Sequence, residues 1–199
     1  MLVLHTVNVN DMTALMSSLY DKKKDNVLKN VSPYKVRNAL VNCLPEDDII
    51  LIVGYGSEYG LEVPENPLSD KPGRVIFGEP EAGILKQIQD ARKENNKKPI
   101  KVIGIWPGAD KFARKHHLQG LFCGDLITTV KEAEHYGTIT LQMHIDEWNE
   151  TLFTELRELL SKRIALSSFR NRLSEMNKGQ YNPVTNRNIQ NLKYYSYKE

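Results

Sequence analysis

The chain has 199 residues, 40% hydrophobic and 26% charged, with a net charge of +2 at neutral pH. That length and mixture describe a globular chain able to bury a core, and exclude a polycation or a low-complexity chain. The longest uninterrupted apolar run, residues 49–53, is far too short to cross a bilayer, and two cysteines are too few for a disulfide framework.

Residues 2–7 read as a buried first strand rather than a signal peptide, since no basic region precedes them and no small-residue cleavage site follows. A reducing cytoplasm is the expected compartment. Asp11 is placed to cap a short helix with Met12, Leu15, Met16 and Leu19 on one face. Ser32-Pro33 opens a second helix, with Val36, Leu40, Val41 and Leu44 at helical spacing up to Pro45. A polar turn at 46–48 leads into the β-branched strand 49–53.

Residues 59–71 hold Pro64, Asn66 and Pro67 and read as an irregular loop, followed by a short strand at 74–78. Pro80 opens a helix with Ile84, Leu85, Ile88 and Ala91 turned inward, and the polar run 93–98 ends it. Residues 101–106 form another buried strand. A helix follows Asp110, carrying Phe112 and Ala113, with Leu118 beyond it. Thr129 and Glu132 match a capping box, in which the two side chains satisfy free backbone amides. Ile145, Trp148, Leu152, Leu156 and Leu159 define a strong amphipathic helix. Trp106 and Trp148 read as core aromatics.

Short β-branched strands alternating with amphipathic helices predict an α/β fold, a three-layer sandwich with a mainly parallel sheet. Residues 1–165 read as the α/β domain and 166–199 as a basic segment docked on it. From position 163 onward seven Lys/Arg (Arg163, Arg170, Arg172, Lys178, Arg187, Lys193, Lys198) face two acids, Glu175 and Glu199. That asymmetry reads as a solvated helix and tail, or as a surface for nucleic acid. Tyr194, Tyr195 and Tyr197 between lysines read as docking residues, with base stacking the alternative.

In open parallel sheets, ligands collect beyond the carboxyl ends of the strands. Two segments lie there. In the first, the strand at 49–53 runs into Gly54-Tyr55-Gly56-Ser57, a sharp turn presenting Tyr55 or Ser57. Its glycine spacing misses the dinucleotide fingerprint, and no Walker lysine is present. In the second, the strand at 101–106 ends in Pro107-Gly108-Ala109-Asp110 and enters a helix; Asp110 reads as its N-cap. The five histidines show no metal-ligand spacing on one helix, so neither a metal nor a cofactor is expected.

A hydrophobic strand ending in His-Gly, followed by one ending in Cys, marks caspase- and gingipain-type cysteine peptidases. The stretch 49–61 resembles their His-Gly block with Tyr55 at the histidine position. The stretch 102–110 resembles their cysteine block with Pro107 at the nucleophile position. More specifically, the chain resembles small caspase-like proteins of bacteria and phages. The likeness runs through Gly60-Leu61, Ile105-Trp106, Leu118-x-Gly120-Leu-Phe122, Gly124, Glu132-Ala133, Tyr136-Gly137 and Asn182-Pro-Val-Thr185.

The resemblance implies a caspase-like fold and a peptide cleft, in phage–host conflict, and the departures imply lost catalysis. Proline has no nucleophile and no N–H for an oxyanion hole, and tyrosine is a poor general base at neutral pH. A thiolate and an imidazole act as a unit, so losing both removes the rate enhancement. The first hypothesis is therefore a pseudo-peptidase that binds a peptide or protein partner through Tyr55, Gly56, Ser57, Pro107, Gly108 and Asp110. A second is a hydrolase with a relocated site using Cys123, His116, His117, Ser57 or Asp110. A third is a nucleotide or nucleic-acid binder using the strand-end glycines and the basic tail. Cys43 reads as packing.

Overall fold

The fold is taken from a computed structural model of the chain. It describes residues 1–7, 12–42, 49–63, 73–162, 164–179 and 182–196. Asp11, Cys43, Leu44, Pro45, the turn at 46–48 and residues 64–72 lie outside the described residues, as do Arg163, Tyr197, Lys198 and Glu199.

Strand β1 (Leu2–Thr6) is buried along its whole length, the apolar Leu2, Val3 and Leu4 together with the polar His5 and Thr6. A 3-10 helix (Met12–Leu19) follows, tighter than the α-helix expected there, with Thr13, Met16 and Leu19 inward. Strand β2 (Asn26–Lys29) and helix α1 (Pro33–Asn42) come next. The Ser32 hydroxyl accepts from the Lys35 amide at 3.4 Å, while Val41, expected inward, is exposed.

Strand β3 (Ile49–Gly54) enters a hairpin of β4 (Gly56–Ser57) and β5 (Gly60–Val63), and β5 pairs in turn with β6 (Arg74–Phe77). The loop expected from residue 59 is thus a strand over its first part. Helix α2 (Glu79–Glu94) turns Leu85 inward but exposes Ala91. Gln89 is buried in its stead, because its amide makes two hydrogen bonds to the Gln119 backbone, at 2.7 and 3.1 Å.

Strand β7 (Lys101–Ile105), helix α3 (Ala109–Lys115) and strand β8 (Gly120–Cys123) follow. Then come α4 (Val130–His135), α5 (Gln142–Ser161), a 3-10 turn at Leu166–Ser168, α6 (Phe169–Met176), α7 (Pro183–Gln190) and the last strand, β9 (Leu192–Tyr195).

The six-stranded central sheet has the order β2-β1-β3-β7-β8-β9. Every pair is parallel except β8–β9, in which Leu121 faces Tyr194 and Cys123 faces Leu192. The C-terminal segment is therefore part of the sheet, and Tyr194 and Tyr195 belong to its edge strand. A smaller antiparallel sheet, β4-β5-β6, flanks the main one.

The step from β1 to β2 runs one way across the sheet; the steps from β2 to β3, β7 and β8 run the other way. Right-handed crossovers therefore put the 3-10 helix on one face and α1, α2 and α3 on the opposite face. Packing agrees: α5 lies against the 3-10 helix, α6 and α7, while α1 packs on α2. The result is the expected three-layer α/β sandwich.

The core holds an aromatic group in which Trp106 meets Phe112, Phe77 and Phe122 with ring centroids 5.7, 6.4 and 6.5 Å apart. Trp148 is partly buried against the smaller cluster of Ile127, Ala133, Ile145 and Val184. Among the described residues no helix is long and apolar enough to cross a membrane.

Candidate functional site

Neighbouring strands β1 and β3 send their following connections to opposite faces, so a crevice opens above their carboxyl ends. A cavity of about 760 Å³ occupies that position. Its floor is Gly54, Tyr55, Trp106 and Pro107, from the ends of β3 and β7. One wall is the Met12–Met16 part of the 3-10 helix. The other is built from the segment after β8, Asp125 to Thr129, with Glu132 of α4 and Gln142 and Asp146 of α5.

The floor is rigid for local reasons. Gly54 has φ +131°, and a Cβ there would lie 2.1 Å from the Thr6 carbonyl oxygen, so glycine alone fits. The Thr6 hydroxyl accepts from the Tyr55 amide at 2.8 Å and donates to the Tyr55 carbonyl at 3.1 Å. Trp106 Nε1 donates to the Ser57 carbonyl at 3.0 Å, pinning the β4 hairpin to the end of β7. Gly108 turns the chain into α3 at φ +78°, where a Cβ would sit 2.7 Å from the Glu58 nitrogen. Since Val53 is paired with Ile105, the turns carrying Tyr55 and Pro107 emerge side by side.

The walls are braced by polar side chains. Glu132 accepts from the Thr128 amide, the Thr128 hydroxyl and the Thr129 amide at 2.7 to 2.9 Å, and Thr129 returns the capping-box bond. Gln142 joins the α4 and α5 ends by accepting from the Val130 amide and donating to the Thr128 carbonyl. Behind them Asn188 and Asn149, both buried, satisfy both backbone groups of Ile127 and each other. On the opposite wall His5 is fully buried between the Tyr20 hydroxyl and the Thr13 carbonyl, each 2.8 Å away. Its Nε2 donates to Thr13, so Nδ1 accepts from Tyr20, and burial lowers its pKa to about 4.

Of the six residues expected to bind a ligand, Tyr55 and Pro107 line the cavity. Gly56, Ser57, Gly108 and Asp110 are not part of its lining. The Ser57 hydroxyl donates to the buried Glu62 carboxylate at 2.5 Å, within the hairpin. Asp110 is not the N-cap of α3, a position Gly108 fills; it lies in the first turn, where its carboxylate accepts from the Lys111 amide. Its other oxygen is paired with Lys193 of β9 at 2.6 Å.

Cys123, His116 and His117 are not assembled into a nucleophile and base. Cys123 is fully buried and its thiol contacts the Trp106 carbonyl at 3.5 Å. Burial pushes that thiol up to about 12, leaving no thiolate at neutral pH. His116 lies against Phe112 with ring centroids 4.4 Å apart and the rings tilted by 49°, and His117 is an exposed residue at φ +52°. No group of three metal-ligating side chains occurs among the described residues.

The walls were not visible in the sequence. The 3-10 helix and the Thr129 capping box were both legible, but nothing tied them to Tyr55 and Pro107. Recognising residues 120–123 as a strand would have brought the segment after it to the same sheet end.

Compared with family models, curated proteins and solved structures, the chain gives no match. Its function is therefore argued from the cavity. The described lining contains neither thiol nor imidazole; it offers an apolar floor, hydroxyls, an amide and three carboxylates, Asp125, Glu132 and Asp146. Among the described residues this lining holds no nucleophile–base pair of the cysteine-peptidase kind.

Proposed function

We propose that this chain is a non-catalytic, caspase-like protein that holds a peptide or a partner protein's segment in the strand-end cleft. One observation carries the reading. The two positions that resemble the family's histidine and cysteine sites, Tyr55 and Pro107, follow adjacent parallel strands and line one cavity. A dyad at those positions would have faced a shared ligand; the present pair supplies an aromatic and an aliphatic surface instead. The buried, protonated Cys123 thiol supports the absence of thiol chemistry.

The test is peptide binding to the purified chain by fluorescence polarisation, with hydrolysis followed on the same peptides by mass spectrometry. Binding without cleavage is expected. Tyr55→Ala should weaken it about fivefold or more with the circular dichroism spectrum unchanged, and Cys123→Ala should leave it intact. Peptide turnover that disappears in Cys123→Ala would overturn the proposal.

A further inference from the structure

Helix α3 carries three cations without a carboxylate partner. Lys111, Arg114 and Lys115 are exposed and stand at positions i, i+3 and i+4, so they share one face. The opposite face, with Phe112 and Ala113, is buried. Among the described residues none of the three forms an ion pair, whereas Lys162 is paired with Glu158, Arg172 with Glu175 and Lys193 with Asp110. The helix packs against β4 on one side and β9 on the other, and each side adds an aromatic ring. Beside β4, Tyr59 is 66% exposed and Lys115 Nζ lies 5.9 Å from its ring centroid. On β9, Tyr195 is partly exposed and turned to the α3 face, where its ring meets Phe122. Burial raises the pKa of its hydroxyl and the nearby Arg114 charge opposes that rise. Two exposed acids, Glu58 and Glu79, border the strip on the hairpin and α2 sides.

Unpaired cations in a row complement a chain of anions, and an exposed ring beside them complements a flat apolar face. A single nucleic-acid strand presents both: phosphates along its backbone and bases free to stack. A duplex keeps its bases stacked on one another, and an acidic protein segment or an anionic bilayer offers charge without such faces. We propose that the exposed face of α3 binds single-stranded nucleic acid, with phosphates on Lys111, Arg114 and Lys115 and a base stacked on Tyr59. None of these four residues lines the cleft, so the surface is independent of the peptide reading.

The experiment is fluorescence anisotropy of short labelled oligothymidylate and oligouridylate titrated with the full-length chain at several salt concentrations. Three phosphate contacts predict a log–log salt slope of about −2, or about a twentyfold loss between roughly 50 and 200 mM salt. Lys111→Gln with Arg114→Gln and Lys115→Gln should weaken binding about tenfold or more and flatten that slope. Lys162→Gln with Arg170→Gln and Arg172→Gln removes the same charge around the α5–α6 junction, and should change binding by less than about twofold. Tyr59→Leu should weaken binding about fivefold or more at an unchanged slope. All these side chains are exposed, so the circular dichroism spectrum and urea midpoint should stay as in the parent. No binding at low salt, equal loss in the two triple variants, or indifference to Tyr59→Leu would overturn the proposal. Duplex DNA, polyglutamate or phosphatidylserine vesicles bound as tightly as the single strands would assign the face to charge alone and overturn it too. Each of these results leaves the cleft to its own test with Tyr55→Ala.

Discussion

Thr6 grips Tyr55 by both backbone groups: one hydroxyl, at the end of β1, accepts from the amide and donates to the carbonyl of a residue just past β3. The contact joins the two strand ends between which the cleft opens. Past the last position of the ladder it gives the Tyr55 amide its partner, while the Tyr55 carbonyl also accepts from the Glu62 amide of β5 at 2.9 Å.

Thr6→Val keeps the shape of the side chain and removes both bonds, leaving the Tyr55 amide short of a partner while its carbonyl keeps the Glu62 amide. It should cost about 1–3 kcal/mol in urea denaturation. Gly54→Ala should cost more, because it adds a left-handed backbone penalty to an overlap with the Thr6 carbonyl. An equal or smaller loss for Gly54→Ala would show that the turn relaxes.

His5 makes stability depend on pH in a defined window. Its folded pKa is about 4 against an ordinary 6.5, so between those values the unfolded chain binds the extra proton. Its contribution is full above pH 6.5 and is lost as the pH falls toward 4. One proton corresponds to a slope of at most about 1.4 kcal/mol per pH unit. His5→Gln should be less stable at neutral pH and flatter through this window, as measured by chemical denaturation across pH. A mutant with the same acid slope as the parent would move the effect to other groups.

Cys123 should resist thiol reagents in the native protein. With the side chain at zero exposure and its pKa near 12, modification at pH 7.5 has to wait for an opening of the structure. Iodoacetamide labelling mapped to the 120–123 peptide should follow the hydrogen-exchange rate of β8. Labelling within seconds under native conditions would restore the case for a relocated nucleophile.

Lys193→Ala leaves the Asp110 carboxylate, only 5% exposed, without its cationic partner. Because the lysine itself is 45% exposed, the loss should be about 1–2 kcal/mol rather than that of a fully buried pair. Hydrogen exchange should accelerate first in β9 and the facing amides of β8. Acceleration spread evenly over the sheet would mean that the pair does not anchor this edge.

The central strands were legible because each is dominated by β-branched and other aliphatic residues: β1, β3 and β7 occupy adjacent interior positions and bury both faces. The strands that escaped notice do not have that pattern. Strand β2 holds Val27 and Leu28 between Asn26 and Lys29 because an edge strand has less to bury. Strand β5 contains a buried carboxylate, Glu62, stabilised by the Ser57 hydroxyl and the Gly73 amide; a charged residue at that position reads as loop until its partners are known. In β9, Lys193 and Tyr194 are exposed, and the strand is held by the β8 ladder.

The site divided in the same way. Tyr55 and Pro107 follow from the rule about strand ends, which needs only two recognised strands. The α4 and α5 walls required knowing the face to which each connection runs, and that depends on sheet order. The expectation for Asp110 failed because Gly108, in a left-handed conformation, starts α3 two residues earlier. The aspartate is thereby freed to meet a lysine 83 positions away.

The antiparallel pairing of β8 with β9 has a consequence for synthesis. While residues 192–195 are still inside the ribosome, β8 has a neighbour on one side only, and its open flank carries Leu121 and Cys123. A nascent chain in that condition offers a template to any extended segment nearby, including another copy of itself. Stalling or truncation ahead of Leu192 should therefore send the product to aggregates or chaperones instead of to a smaller folded form.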